Sequence, residues 1–182
     1  MDTIGAYNMQ FELFNNEVED LVGLLTNNKW SYHSGGVPQK DKVITAIEKG
    51  YYSNGRETFW VIDVDKKVGI IIIEDINDTI PLFDIRLDAK YQGKGYGVKS
   101  LKWLQDYLFG KRGKIRIEGY TRADNHPMRK CFTKAGFVKE GYLRNSWENE
   151  GGTVSDTVLY GAIFEDWEAN EITEIKINEV PY

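Results

Sequence analysis

One segment constrains this chain more than any other: Leu87-Asp88-Ala89-Lys90-Tyr91-Gln92-Gly93-Lys94-Gly95-Tyr96-Gly97. It joins a strand expected over Leu82–Leu87 to an amphipathic helix marked by Val98, Leu101, Leu104 and Leu108. A strand that passes straight into such a helix belongs to a layered sheet with the helix packed on it. The junction also aims free first-turn N–H groups and the positive end of the helix dipole at the turn, which makes an anion site. Glycines there admit positive φ and let the backbone come close to a pyrophosphate, and Lys94 adds a mobile cation. The bland alternative is a glycine-rich turn that holds nothing.

The rest of the chain supplies a sheet for that helix. Met9–Leu13 reads as a first strand, and Glu17–Leu25 as a helix with Val18, Leu21, Val22 and Leu25 on one face. Ser31–Pro38 is a loop by its Gly35-Gly36 pair, and Lys42–Lys49 is helical. Thr58–Val64 and Val68–Glu74 form a hairpin expected to turn at Asp65-Lys66-Lys67. Lys114–Tyr120 alternates as a strand, and Asn125–Ala135 is a helix with Met128, Cys131, Phe132 and Ala135 on one side. Val138–Trp147 and Thr153–Phe164 pair around Asn149–Gly152, and the residues after Trp167 are polar and weakly patterned. The expectation is one domain over 1–182, with a core at about 7–168 and a C-terminal tail over 169–182. Its class is α/β (α+β), a mixed sheet flanked by helices.

Composition narrows the function classes. The 182 residues are 41% hydrophobic and 28% charged, as in soluble globular chains. The longest apolar run, Val68–Ile73, is far short of the roughly 20 residues of a membrane helix, so no membrane role is expected. The start, Met1-Asp2-Thr3, does not read as a secretory signal, and Cys131 is the single cysteine, so a cytoplasmic setting is expected. A net charge of -5 argues against nucleic acid as a partner. His33, His126 and Cys131 are too few for a zinc site, so no metal is expected.

Three phosphate-binding patterns compete for the turn. A P-loop string is absent. A dinucleotide fingerprint needs G-x-G-x-x-G, whereas the glycines here fall as G-x-G-x-G, and the preceding antiparallel meander fits it poorly. The third pattern, [QR]-x-x-G-x-[GA], is met by Gln92, Gly95 and Gly97. It is the acetyl-CoA signature of the GNAT superfamily of N-acetyltransferases, and the resemblance extends over about the last hundred residues. Leu87 to Gly97, then Asn125, Gly136-Phe137, Glu140-Gly141 with Arg144, and finally Leu159-Tyr160 with Glu165-Asp166-Trp167 stand in the family's order and spacing. The chain most resembles the ribosomal-protein N-terminal acetyltransferase (RimJ/RimL-type) branch.

The resemblance implies a GNAT-type domain whose mostly antiparallel central sheet has a splayed strand pair as the acetyl-CoA slot. It implies transfer of the acetyl group of acetyl-CoA, the co-substrate, by direct attack of a primary amine. The acceptor is a protein N-terminus, a polyamine or another small amine, and a homodimer is a common assembly of such enzymes. Ile85 and Leu87 line the slot. Gln92, Gly93, Lys94, Gly95, Tyr96 and Gly97 hold the cofactor's pyrophosphate, and Asn125 meets the pantetheine arm. Arg129 and Lys134 are basic neighbours for CoA phosphates, or else a solvated helix face. In many relatives a tyrosine protonates the leaving thiolate, but Phe132 stands in its place. The branch's alternative serine is replaced by Met128. Their loss favours a second reading, a CoA-binding module of this fold with weak or no catalysis. Asp84 is the candidate base, with Glu74 and His33 in reserve. Trp30, Tyr32 and His33 are candidates for an acceptor wall, against the alternative of a loop merely packed on the sheet.

Overall fold

The runs Phe59–Ile62 and Val68–Ile73 show no alternation of apolar and polar residues, as expected for strands covered on both faces. The computed structural model describes residues 9–179 and covers them on both faces. Seven strands lie in the order β1-β2-β3-β4-β5-β7-β6. They are β1 (Met9–Leu13), β2 (Glu57–Asp63), β3 (Lys66–Glu74), β4 (Leu82–Leu87), β5 (Arg116–Arg122), β6 (Val138–Glu148) and β7 (Val154–Ile163). All neighbours are antiparallel except β4 and β5. The helices are α1 (Val18–Thr26), α2 (Lys40–Glu48), α3 (Tyr96–Gln105), α4 (His126–Lys134) and α5 (Phe164–Ala169). The single domain and mixed sheet are thus as expected, although the expected core start at residue 7 lies outside the described residues.

Strand alternation sorts the core into two layers. Leu21, Leu24, Leu25 and Val43 of α1 and α2 meet Trp60, Ile62, Ile70 and Ile72 on one face. Leu101 and Leu104 of α3 and Phe132 of α4 meet Phe59, Val61, Val68, Ile71, Ile73 and Ile117 on the other. No helix among the described residues is long and apolar enough to cross a membrane.

Three local expectations change. The β2–β3 hairpin turns at Val64-Asp65, both at positive φ (45° and 64°), with Lys66 and Lys67 already in β3. Lys67 is drawn into the strand by ion pairs with Glu17 and Asp20 of α1. Helix α3 widens into a π-helical stretch over Asp106–Lys111. Phe164, expected to end the last strand, instead opens α5 (Phe164–Ala169), since β7 stops at Ile163. Trp167 donates its indole N–H to Asp106 at 2.9 Å and packs on Phe109 and Phe164, so tertiary contacts hold a helix too short to persist alone.

Candidate active site

Strands β4 and β5 share one register pair, Leu82 with Glu118, and then part. The β5-facing edge of Phe83–Leu87 therefore has no strand beside it. Aromatic bulk under the seam keeps it open. Phe132 is 1% exposed, stacks on Tyr160 with ring centroids 4.6 Å apart, and lies edge-on to Phe83. A Cβ on Gly119 of β5 would come within 2.5 Å of the Phe132 ring, so only glycine lets β5 pass there. Phe132 was expected at the cofactor, but it is a core wedge with no surface to offer. It cannot donate a proton either.

At the mouth of the seam the chain leaves Leu87 and turns. Gly93 and Gly95 hold φ of 73° and 87°, the left-handed region that favours glycine, and Gly95 caps α3. Gln92, Gly93, Lys94 and Gly95 are exposed, and an added side chain at Gly93 or Gly95 would meet nothing within 4 Å. The amides of Gly93, Lys94, Gly95 and Gly97 have no acceptor among the described residues. Such a set of open donors at a helix N-terminus suits a phosphate. Gln92 braces the turn, donating its side-chain amide to the Leu87 carbonyl at 2.9 Å. The Lys94 ammonium sits 5.6 Å from the Tyr91 ring centre.

Several expected cofactor contacts turn out to have structural duties. The Tyr96 phenol points away to donate to Asp63 at 2.6 Å, leaving only its backbone at the turn. Gly97 is a packing position, since a Cβ there would meet the Cys131 sulfur at 3.0 Å. Asn125 caps α4, accepting from the Met128 amide at 3.2 Å and donating to the Thr121 hydroxyl at 3.0 Å. Arg129 donates to the Ala123 carbonyl at 2.7 Å and lies 3.4 Å from the Tyr160 hydroxyl. A guanidinium so engaged is an internal brace and not a free phosphate ligand. Lys134 stays exposed in the last turn of α4. Ile85 and Leu87 are half-buried and lean on the α3–α4 core.

On the opposite face the side chains of β4 carry charge. Asp84 receives His33 Nε2 at 3.1 Å on one oxygen and Arg86 Nε at 2.8 Å on the other. Burial alone would raise its pKa, but the His33 hydrogen bond and the Arg86 charge outweigh that and hold it at about 2. An ionised carboxylate only accepts, so His33 Nε2–H is the donor in that bond, and in a neutral imidazole Nδ1 is the ring's acceptor. That Nδ1 is buried and has no hydrogen-bond partner among the described residues. Glu74, which ends β3 opposite Leu82, has its pKa raised, first by burial and then by Asp84 and Asp75 against the lowering effect of Arg56.

The loop over Ser31–Pro38 brings His33 to this place. Trp30 was expected in an acceptor wall, but it is 4% exposed and donates its indole N–H to the Leu25 carbonyl at 2.8 Å. Its ring supports both His33, edge-on at 5.7 Å, and Arg86, whose guanidinium lies 5.4 Å from the ring centre. Tyr32 is half-buried under Arg122 of β5, which also donates to the Ser31 carbonyl at 3.2 Å. The loop thus spans the seam, fastened to β4 through Asp84 and to β5 through Arg122. Arg122, Lys42, Tyr51 and Tyr52 were not picked out from the sequence. The Tyr51-Tyr52 pair directly after Gly50 was the one available signal.

Comparison with known proteins converges on this geometry. The acetyltransferase (GNAT) family matches residues 24–137, more than half of the chain. A solved chimera of the spermidine N-acetyltransferase SpeG from Vibrio cholerae and hSSAT is 19% identical, with a TM-score of 0.78 over 88% of this chain and 98% of that one. The Vibrio cholerae spermidine N-acetyltransferase in complex with CoA and spermine is also 19% identical, with a TM-score of 0.75 over 88% and 98%. A dodecameric structure of the same enzyme is 18% identical, with a TM-score of 0.72 over 87% and 95%. At such identities the likeness establishes the fold. No curated protein sequence matches the chain.

Proposed function

The chain belongs to the acetyltransferase (GNAT) family, and from that premise we propose that it moves the acetyl group of acetyl-CoA onto a primary amine by direct attack, with His33 as the base. The observation that carries this reading is the open seam between β4 and β5, with a phosphate-ready turn at its mouth and the His33–Asp84 pair on the other face of β4. The cofactor's pyrophosphate sits on the amides of Gly93, Lys94, Gly95 and Gly97, and its pantetheine arm runs along the unpaired edge of Ile85–Leu87.

Amine attack needs the neutral amine, so a proton must be accepted. Asp84, held at about 2, is a weak acceptor. Its role in this reading is to fix the imidazole tautomer so that Nδ1 takes the proton and Asp84 stabilises the resulting imidazolium. Glu74 is the next acceptor in line. The first turn of amides holds the donor while the acceptor approaches from the loop side, so no acetyl-enzyme is needed. Cys131, whose thiol burial pushes up in pKa, packs against Gly97 as part of the fold.

The blocks Leu87–Gly97 and Glu140-Gly141 with Arg144 support placement in the RimJ/RimL-type branch, and the solved spermidine acetyltransferases support small amines as acceptors. A cytoplasmic setting and a homodimer complete the reading. One observation favours the CoA-binding module instead, since the two α4 positions that match the relatives' tyrosine and serine hold Phe132, which is buried, and Met128, neither of which can donate a proton. Release of the CoA thiol from acetyl-CoA across a panel of primary amines separates the two. Turnover with an N-acetylated product identified by mass supports the enzyme, and tight CoA binding with no turnover on any amine supports the module.

A further inference from the structure

The acceptor's own charge can be read from a cavity of about 220 Å³ beside His33, an inference that rests on the acetyltransferase reading above. Its lining includes His33, Lys42, Val43, Tyr51, Tyr52 and Arg86. The volume is below the roughly 300–1,000 Å³ of a drug-sized site and suits a molecule of amino-acid size. The charged side chains of the lining are the cations Lys42 and Arg86, and no carboxylate is among them.

Arg86 is held for a purpose other than its ion pair. Its Nε is committed to Asp84 and its plane rests by the Trp30 ring, yet neither Nη has a hydrogen-bond acceptor among the described residues. A guanidinium oriented by one edge and open at the other presents a two-donor fork, which is complementary to a carboxylate. Lys42, in the first turn of α2, has no ion pair among the described residues. The α2 N-terminus has no side-chain cap, so its dipole adds to the positive potential there. The carboxylates nearby lie outside the lining, with Glu74 acting on Tyr51 from the end of β3 and Asp41 in the first turn of α2. Asp84 lies against Arg86, and Glu150 of the β6–β7 turn packs against Gly36 at the rim. A polyamine would bring further ammonium groups against Lys42 and Arg86, whereas a carboxylate would satisfy both.

We infer that the acceptor is a small primary amine that also carries a carboxylate, bound through that carboxylate by Arg86 and Lys42 with its amino group at His33. The test compares α-amino acids, each beside its carboxamide, with spermidine as the polycation, in the wild type, Lys42→Gln and Arg86→Gln. The wild type is expected to use at least one amino acid with kcat/KM about tenfold or more above its carboxamide and above spermidine, the scale of a charged hydrogen bond. Lys42→Gln should lower kcat/KM for the carboxylate acceptor and so narrow its advantage over the carboxamide. Equal or better use of carboxamides or spermidine overturns the inference, as does a preference that Lys42→Gln does not move. If no amine of any class is acetylated, the functional reading fails. The inference is then decided by titrating N-acetyl amino acids into the CoA-bound protein, where binding weakened by Lys42→Gln supports it and no binding refutes it.

Discussion

The two faces of the central sheet work by different means. On the α3–α4 face the proposed cofactor turn is a matter of backbone, with Gly93 and Gly95 at positive φ and an aromatic wedge under the parting of β4 and β5. On the α1–α2 face the proposed acceptor side is a chain of side chains, in which Trp30 supports Arg86, Arg86 and His33 grip Asp84, and Arg122 fastens the loop across the seam. The first face is vulnerable to sterics and backbone strain and indifferent to pH. The second is vulnerable to charge and titration. The difference teaches that a turn held by conformation and a cluster held by side-chain charges fail under different perturbations.

The comparison is broken most severely by Gly95→Val. A β-branched residue at φ 87° strains the turn by roughly 1–3 kcal/mol and blocks approach of the pyrophosphate. The thermal shift that CoA gives the wild type should vanish in a folded variant. A shift that survives would move the cofactor to another place.

The next test separates the faces. His33→Ala should lower kcat by about 10²- to 10⁴-fold, the size of a general-base contribution, and leave the CoA thermal shift intact. Activity should return in part at high pH, where more of the acceptor is already neutral. A pH–rate profile unchanged from the wild type would assign the base to Glu74 or to water.

Asp84→Asn sharpens the electrostatic side. The carboxylate's pKa falls from 3.8 to about 2 on folding, so its stabilising effect is present above pH 4 and is lost as pH drops toward 2. The shift corresponds to about 2 kcal/mol. The variant should be less stable than the wild type at pH 7 by that order, with the gap closing in acid denaturation below pH 4. A gap that does not change with pH would mean that Asp84 acts through packing and not through charge.

The smallest effect is expected from Asn125→Ala. Losing the α4 cap should cost about 1 kcal/mol of stability in urea unfolding, with CoA affinity reduced by no more than one hydrogen bond, about 0.5–1.5 kcal/mol. A larger loss of affinity would restore Asn125 as a direct ligand.

Legibility in the sequence divides along the same line. Strand β4 has the bounds Leu82–Leu87 in both the sequence and the structure, because Phe83, Ile85 and Leu87 alternate with Asp84 and Arg86 and the glycine turn ends them. The glycine turn was legible because glycine spacing at a strand–helix junction is a local signal. The double duties of Tyr96, Arg129 and Asn125 were not, since their partners Asp63, Ala123 and Thr121 are set by packing or by side-chain orientation. Nor was α5, which depends on Trp167 meeting Asp106 across 61 positions. Asp84 and His33 were each singled out, but their contact spans 51 positions and could be seen only once the loop was in place.

The single register pair between β4 and β5 has a mechanical consequence. In a continuous sheet a bending load is shared by every ladder, but here it concentrates along one line. His33 is anchored to the β4 side of that line and Tyr32 to the β5 side. A small rotation of β5–β7 against β1–β4 therefore shows up as a change in the distance between the anchor points of two adjacent residues in one loop. The line of weakness in the sheet and the loop that carries His33 therefore cross at one place.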